Sequence, residues 1–178
     1  VSQTTFEPHS TTGTYLSLQQ CEETIHFVLY CTEFDKSVVP LIASQLEHDY
    51  ERITFHLQHY PSEKISVEIY PNLESYHAAI GHQQGYEWLV GGAWSGMMGL
   101  VTPLNPGPRH TFDTIMQTAT HELVHIIVDE ISDTEIPVWL NEGIATYLSG
   151  QRQANVVVSL IDEGLPSLID LNSINTSG

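Results

Sequence analysis

The stretch that most constrains the fold is His121-Glu122-Leu123-Val124-His125, because as a helix it aims two histidines at one point. Side chains four residues apart on an α-helix differ by about 40° around its axis, so both imidazoles point the same way. Glu122 lies about 100° from the first histidine. The stretch therefore predicts a helix that presents two imidazoles and a neighbouring carboxylate on one side.

The opposite side of this helix is apolar, within about 60° of the direction opposite the histidine pair. Its members are Phe112, Ile115, Met116, Ala119, Leu123, Ile126 and Ile127. A helix of this kind buries one face and leaves the other available for chemistry. Thr111 or Asp113 is expected to cap its N-terminus.

The pattern H-E-x-x-H is typical of zinc sites in which neutral imidazoles bind the metal and the glutamate acts as a base on metal-bound water. The alternative is a pair of solvated histidines on an amphipathic helix. The chain contains ten histidines, so a chance match has a probability of about a few per cent from composition alone.

A second predicted helix spans residues 137–148, opened by Pro137 and ending near Gly150. It carries one candidate carboxylate ligand, Glu142. If this helix returns across the first, two histidines and one glutamate surround a metal and leave an open position for water. Such a composition is typical of catalytic zinc sites, whereas structural sites close all four positions with Cys or His.

With both motifs present, the chain resembles the gluzincin metallopeptidases, specifically the peptidase MA-like group. That group pairs H-E-x-x-H with a downstream W-L-N-E-G-x-A segment, found here at residues 121–125 and 139–145. The resemblance covers residues 24–170, in which three further segments resemble the first strand, the second strand and the edge strand before the active-site helix. These are residues 25–30, 64–70 and 92–103.

This resemblance implies an α+β, zincin-like fold with a small mixed sheet, an edge strand packed on the active-site helix and a helical C-terminal part. It also implies one Zn²⁺ bound by His121, His125 and Glu142. Glu122 would be the general base for hydrolysis of peptide bonds, with a peptide or protein as substrate. The metzincins, a second group of zinc peptidases, are excluded, because their longer motif would need Gly in place of Val128 and His in place of Ile131.

Supporting residues are less well defined by the resemblance. Several gluzincins orient the first histidine with an Asp four residues after the glutamate ligand, but this chain has Thr146 there, and Asp129 is the candidate substitute. Tyr147 and His110 are the candidates for stabilising the oxyanion. A non-catalytic binding module that retains the scaffold is the alternative function, and a zinc hydrolase acting on other bonds also stays open.

In the resembled family the strand before the active-site helix can pair with an extended substrate. The candidate residues are Ala93, Trp94, Ser95, Gly96 and Met97. An ordinary edge strand with glycines at bulges explains the same sequence equally well.

Composition limits the partners. The chain has 178 residues, 41% of them hydrophobic, and 22 acidic residues against five basic ones give a net charge of −17. Nucleic acid and anionic membrane surfaces would be repelled. No apolar run approaches the length of about 20 residues that spans a bilayer. The sequence leaves the oligomeric state and the compartment open, with a secreted or extracytoplasmic location slightly favoured.

Residues 1–23 are expected to form a lead-in segment, poorly ordered or draped on the surface, before a single domain over residues 24–178 that is C-terminally incomplete relative to the family. Cys21 and Cys31 flank what reads as one extended strand, so a disulfide between them is not expected. Further helices are predicted at residues 37–56, 73–80 and 154–163.

Overall fold

A five-stranded mixed sheet organises the protein, whose computed structural model describes residues 17–81, 86–132 and 136–151. The strands are β1 (Gln19–Glu23), β2 (Phe27–Cys31), β3 (Ile65–Tyr70), β4 (Gly91–Trp94) and β5 (Met97–Val101). Their spatial order is β1-β2-β3-β5-β4. The three central strands run parallel, and β1 and β4 pair antiparallel at the two edges.

In the part of the chain that the structure describes, four α-helices accompany the sheet: α1 (Val39–Leu57), α2 (Leu73–Ala79), α3 (Phe112–Ile131) and α4 (Val138–Ser149). The prediction of an α+β fold with a small mixed sheet is confirmed at this level. Within the described ranges, no helix is both long and apolar enough to cross a membrane. The predicted helix at residues 154–163 lies outside the described residues.

The core forms between the sheet and the helices α1 and α3. Ile65, Val67 and Ile69 alternate along β3 and are almost fully buried, as the period of two predicts. In the parallel register Val67 lies beside Leu29 of β2 and Met98 of β5, both fully buried. These side chains present one continuous apolar layer to the two helices.

Helix α3 buries the face that its sequence predicts. Ile115, Leu123 and Ile127 are at most 1% exposed, and Phe112 packs against the core while only partly buried. Thr111 caps the helix: its hydroxyl accepts a hydrogen bond from the Thr114 amide, and the Thr114 hydroxyl accepts one from the Thr111 amide. Burial of this face leaves the two histidines outside the core, where both are only partly buried.

A buried polar network fixes α3 against α1. The Gln45 side chain donates to the Met116 carbonyl at 3.0 Å, and the Thr120 hydroxyl donates to the Asp49 carboxylate at 2.7 Å. Arg52 donates to the other Asp49 oxygen at 2.8 Å. Because Thr120 is the residue before the first histidine, these bonds resist both rotation and sliding of α3 at the level of the site.

The expected single edge strand at residues 92–103 is wrong, because that segment is a hairpin. Ser95 and Gly96 have φ angles of 49° and 74° and reverse the chain between β4 and β5, as a two-residue hairpin turn requires. Met97 pairs with Trp94 on one side and with Ser66 of β3 on the other, so β5 has no free edge. Of the five residues predicted to pair with substrate, only Ala93 and Trp94 lie on the edge strand β4.

The N-terminal expectations also need correction. Residues 19–23, assigned to the lead-in segment, form strand β1, while residues 1–16 lie outside the described residues. A disulfide joins Cys21 and Cys31, whose Cα atoms are 5.8 Å apart. The contrary prediction assumed one extended strand between the cysteines, but a reversal at residues 24–26 makes β1 and β2 antiparallel neighbours.

Breaking this disulfide should lower the free energy of unfolding by about 2–3 kcal/mol, because the bond closes a short loop and restricts the unfolded chain. Urea denaturation of the double variant Cys21→Ser/Cys31→Ser against the wild type measures the loss. Reductant should lower the stability of the wild type to that of the double variant and leave the double variant unchanged. Equal stability of oxidised wild type and double variant would contradict the expectation.

Candidate metal centre

The helix α4 brings a third polar group to the histidine pair because it packs directly on α3. Its first turn is closed by the Pro137 carbonyl, which accepts hydrogen bonds from the amides of Leu140 and Asn141. It ends at Gly150 with φ of 75°, the left-handed conformation that favours glycine at this position. The predicted helix and both of its boundaries are therefore confirmed.

The side chains of His121, His125 and Glu142 converge, as the sequence predicts. The two Nε2 atoms are 3.0 Å apart. One Glu142 carboxylate oxygen lies 3.3 Å from Nε2 of His121, and the other lies 3.6 Å from Nε2 of His125. The three residues form a group that could hold a metal ion.

These distances fit a small cation. Ligand atoms about 2.0–2.1 Å from a tetrahedral zinc ion are about 3.3–3.4 Å apart from one another. The separations found here, 3.0, 3.3 and 3.6 Å, lie on both sides of that value. Two imidazoles and one carboxylate are also a donor set that zinc accepts while keeping a position for water. The donor chemistry and the spacing thus suit a divalent metal of zinc size.

Asn141 orients the second histidine and was missed by the sequence analysis. Nδ1 of His125 donates a hydrogen bond of 2.8 Å to the Asn141 side-chain oxygen. This bond holds the proton on Nδ1 and leaves the Nε2 lone pair free for a metal. The sequence did contain a signal for this role: Asn141 has an amide side chain and directly precedes the candidate ligand Glu142 on the predicted second helix.

The first histidine is less well supported. Nδ1 of His121 is buried and makes no hydrogen bond to any described residue. The expectation that Asp129 would orient this ring is wrong: Asp129 is exposed in the wall of the cleft and does not make the bond. Thr146, where the resembled family has an Asp, does not make it either.

Glu122 is only 9% exposed although it carries a carboxylate. Burial raises its pKa, as does the charge of Glu142, while the charges of His125 and His121 act in the opposite direction. The balance leaves the pKa of Glu122 above its ordinary value. A carboxylate with a raised pKa is a stronger base and is better matched to proton transfer near neutral pH.

The remaining charges of the site favour an ion pair in the metal-free protein. The hydrogen bond from His121 lowers the pKa of Glu142, and burial opposes that change without reversing it. Burial lowers the pKa of His121, but the bond to Glu142 and the charges of Glu122 and Glu142 outweigh it and raise that pKa. A bound cation would replace the proton that these groups share.

The site opens into a cleft of about 640 Å³. Gly91, Gly92 and Ala93 of the edge strand β4 line the cleft together with the histidine pair and Glu142. Gly91 permits this approach, because a Cβ atom there would lie only 2.6 Å from Cγ2 of Thr118 on α3. The edge strand consequently runs against the helix at the level of the site.

The two candidates for stabilising an oxyanion, His110 and Tyr147, differ in their position relative to the cleft. His110 lines the cleft, and its buried Nε2 has no hydrogen-bond partner among the described residues. Tyr147 is 63% exposed on α4 and does not belong to the described residues that line the cleft. The structure therefore brings His110 to the cleft but not Tyr147.

Comparisons of the chain with models of known protein families, with curated proteins and with solved structures find no match.

Replacing Asn141 by alanine should weaken Zn²⁺ binding by about 10–100-fold, because the ring of His125 loses the acceptor that fixes its tautomer. Competition with a chromophoric chelator measures the affinity. Asn141→Asp keeps an oxygen in the same place and should retain more of the affinity. Unchanged zinc binding in the alanine variant would show that the bond to His125 has no such role.

Gly91→Ala should lower the free energy of unfolding by about 1–3 kcal/mol, since the added methyl group overlaps Thr118 and crowds Leu100 at 3.0 Å. Gly143→Ala is the matched control: it meets nothing within 4 Å on helix α4 and should leave stability unchanged or raise it. Urea titrations of both variants give the comparison. A Gly91→Ala protein as stable as the wild type would mean that β4 is not held close to α3.

Proposed function

We propose that this protein is a zinc-dependent metallopeptidase of the gluzincin type. The observation that carries the proposal is the convergence of His121, His125 and Glu142 beside the buried carboxylate of Glu122. Structural zinc sites do not need a buried base beside an open cleft, whereas hydrolytic sites do. The zincin-like reading of the fold, with β4 lying against the active-site helix, is part of the same proposal.

A zinc ion bound by these three ligands would polarise a substrate carbonyl and lower the pKa of a water molecule. The chain's own contribution is to hold the ligands in place. Asn141 keeps Nε2 of His125 unprotonated. Packing of α4 on α3 keeps Glu142 beside the two rings.

Glu122 is the proposed general base. Its carboxylate takes a proton from the attacking water and passes it to the amine that leaves when the peptide bond breaks. Its burial supports this role, because a raised pKa allows it both to accept and to release a proton near neutral pH.

The proposed substrate is an extended peptide that pairs with β4. An edge strand offers unpaired backbone donors and acceptors, and a peptide that adds to the edge gains hydrogen bonds independent of its sequence. Gly91 to Ala93 supply such groups in the wall of the cleft that contains the metal ligands.

A non-catalytic binding module is the second candidate, and one observation favours it. A metal-binding histidine ordinarily donates its second nitrogen to an acceptor, and Nδ1 of His121 has none among the described residues. Weak zinc binding without turnover would follow from that defect. Zinc content and peptide cleavage, measured on the same sample, separate the two candidates.

Glu122→Gln should reduce peptide hydrolysis by about 10²–10⁴-fold while leaving one zinc ion per chain. His121→Ala and Glu142→Ala should lose the metal as well as the activity. The measurements are metal content by mass spectrometry and cleavage of a quenched fluorescent peptide library. Glu130→Gln is the matched control, since Glu130 lies on the same helix but pairs with His59 away from the site.

Two results would reject the peptidase. One is hydrolysis by Glu122→Gln at the rate of the wild type. The other is a wild-type protein with stoichiometric zinc that cleaves no member of the library. The second result would leave a zinc-binding module or a hydrolase of other bonds.

A further inference from the structure

We propose that a bound divalent metal of zinc size also acts as a structural tie: it docks helix α4 onto α3, and without it α4 docks and undocks as a unit. The proposal rests on the candidate metal site of the proposed function, but it does not require peptide hydrolysis. It concerns the attachment of one helix rather than the chemistry of the cleft.

Helix α4 buries little of its own surface. Within this fully described helix, Ala145 is the one fully buried residue, and Ile144 and Leu148 pack against the core while only partly buried. Helix α3, in contrast, buries ten of its 20 residues, among them the fully inaccessible Leu123 and Ile127. Because a helix in a folded protein is stabilised mainly by the apolar surface that it buries, α4 is held by apolar packing less firmly than α3.

Among the described residues, polar contacts between the two helices converge on the candidate ligands. His125 donates the 2.8 Å hydrogen bond to the Asn141 side chain. The Glu142 oxygens lie 3.3 Å from Nε2 of His121 and 3.6 Å from Nε2 of His125. A metal ion at this point would be bound by two ligands from α3 and one from α4. Metal binding and the docking of α4 are therefore coupled, because the complete ligand set exists only when α4 is docked.

Charge makes docking more favourable when a cation is bound. Docking brings the carboxylate of Glu142 into the cleft that is also lined by the buried carboxylate of Glu122 and by Asp129. Like charges repel one another more strongly where water is excluded. The contact with His121 offsets part of this repulsion. A divalent cation would offset more of it, because it brings two positive charges to the point where the ligands meet.

Undocking should also unfold α4, which makes the equilibrium measurable. The helix has 12 residues, and an isolated helix shorter than about 12–15 residues is only marginally stable in water. Its backbone amides would therefore exchange hydrogen with the solvent each time α4 leaves α3. Amide exchange in α4 then measures how often the helix undocks, and exchange in α3 measures the opening of the core.

Amide hydrogen exchange at increasing free Zn²⁺ tests the proposal on the full chain, from which metal has first been removed with a chelator. If undocking releases the metal, exchange of the α4 amides should slow about tenfold when free zinc is about ten times its dissociation constant. Exchange in α2, which contributes no candidate ligand, should not change. Mg²⁺ at the same concentration should not slow exchange in α4, because it prefers oxygen ligands to imidazole.

Variants of the α4 ligand test whether the response arises at the site. Glu142→Gln removes the charge and nearly preserves the shape of the side chain, so zinc should no longer slow exchange in α4. Glu142→Ala removes the ligand atoms outright and should give the same result. Glu130→Gln is the matched control: it removes the same charge from α3, where Glu130 pairs with His59, and it should retain the response of the wild type. Thermal unfolding of each variant confirms that the compared proteins are folded.

Each outcome bears on the structural tie separately from catalysis. One zinc ion per chain with equal α4 exchange in the metal-free and loaded proteins overturns the tie, even if the wild type cleaves peptides. A zinc response that both Glu142 variants retain overturns it too. Failure to bind zinc overturns the tie and the proposed peptidase together. Slower α4 exchange that is lost only in the Glu142 variants supports the tie even if the wild type cleaves no peptide, which would reject the peptidase alone.

Discussion

The candidate site depends above all on the division of α3 into two faces. Its apolar face is buried against the sheet and α1, where Leu123 and Ile127 are completely inaccessible to solvent. Burying side chains of this size is worth about 1.5–3 kcal/mol each, so any rotation that exposed them would be costly. The Thr120–Asp49 bond adds a directional constraint at the same level. The histidine-bearing face is therefore held in one orientation before any metal binds.

Around that fixed face the two histidines are supported unequally. His125 donates to Asn141, so its ring orientation and tautomer are determined by α4. Nδ1 of His121 has no such acceptor among the described residues, and its Nε2 contacts Glu142, the group that would share the metal with it. The helix α4 thus contributes both a candidate ligand and an orienting group. Its packing on α3 is the second condition for a functional site, since without it the histidine pair has no third ligand.

Predictions from the local sequence pattern were confirmed where all the residues that form the pattern lie in one helix or at its ends. The spacing of Ile115, Leu123 and Ile127 predicted the buried face of α3, and Pro137 and Gly150 predicted the ends of α4. Predictions failed where the chain reverses over very few residues. The two-residue turn at Ser95 divided a predicted strand into a hairpin. The reversal at residues 24–26 similarly brought together cysteines that had been assigned to the ends of one strand. Such turns change which strands are neighbours without changing the hydrophobic pattern.

The sequence by itself determined the helix that carries the histidines, the polar face it presents and the carboxylate available on a second helix. These follow from helical periodicity and from residue chemistry, which act over a few residues. Only the tertiary structure decided that Glu142 reaches both rings, that Asn141 supports His125 while Asp129 does not support His121, and that β4 is the edge strand beside them in the described part of the sheet. Those relations depend on how separate elements pack, and packing is set by the shapes of surfaces that are far apart in the chain.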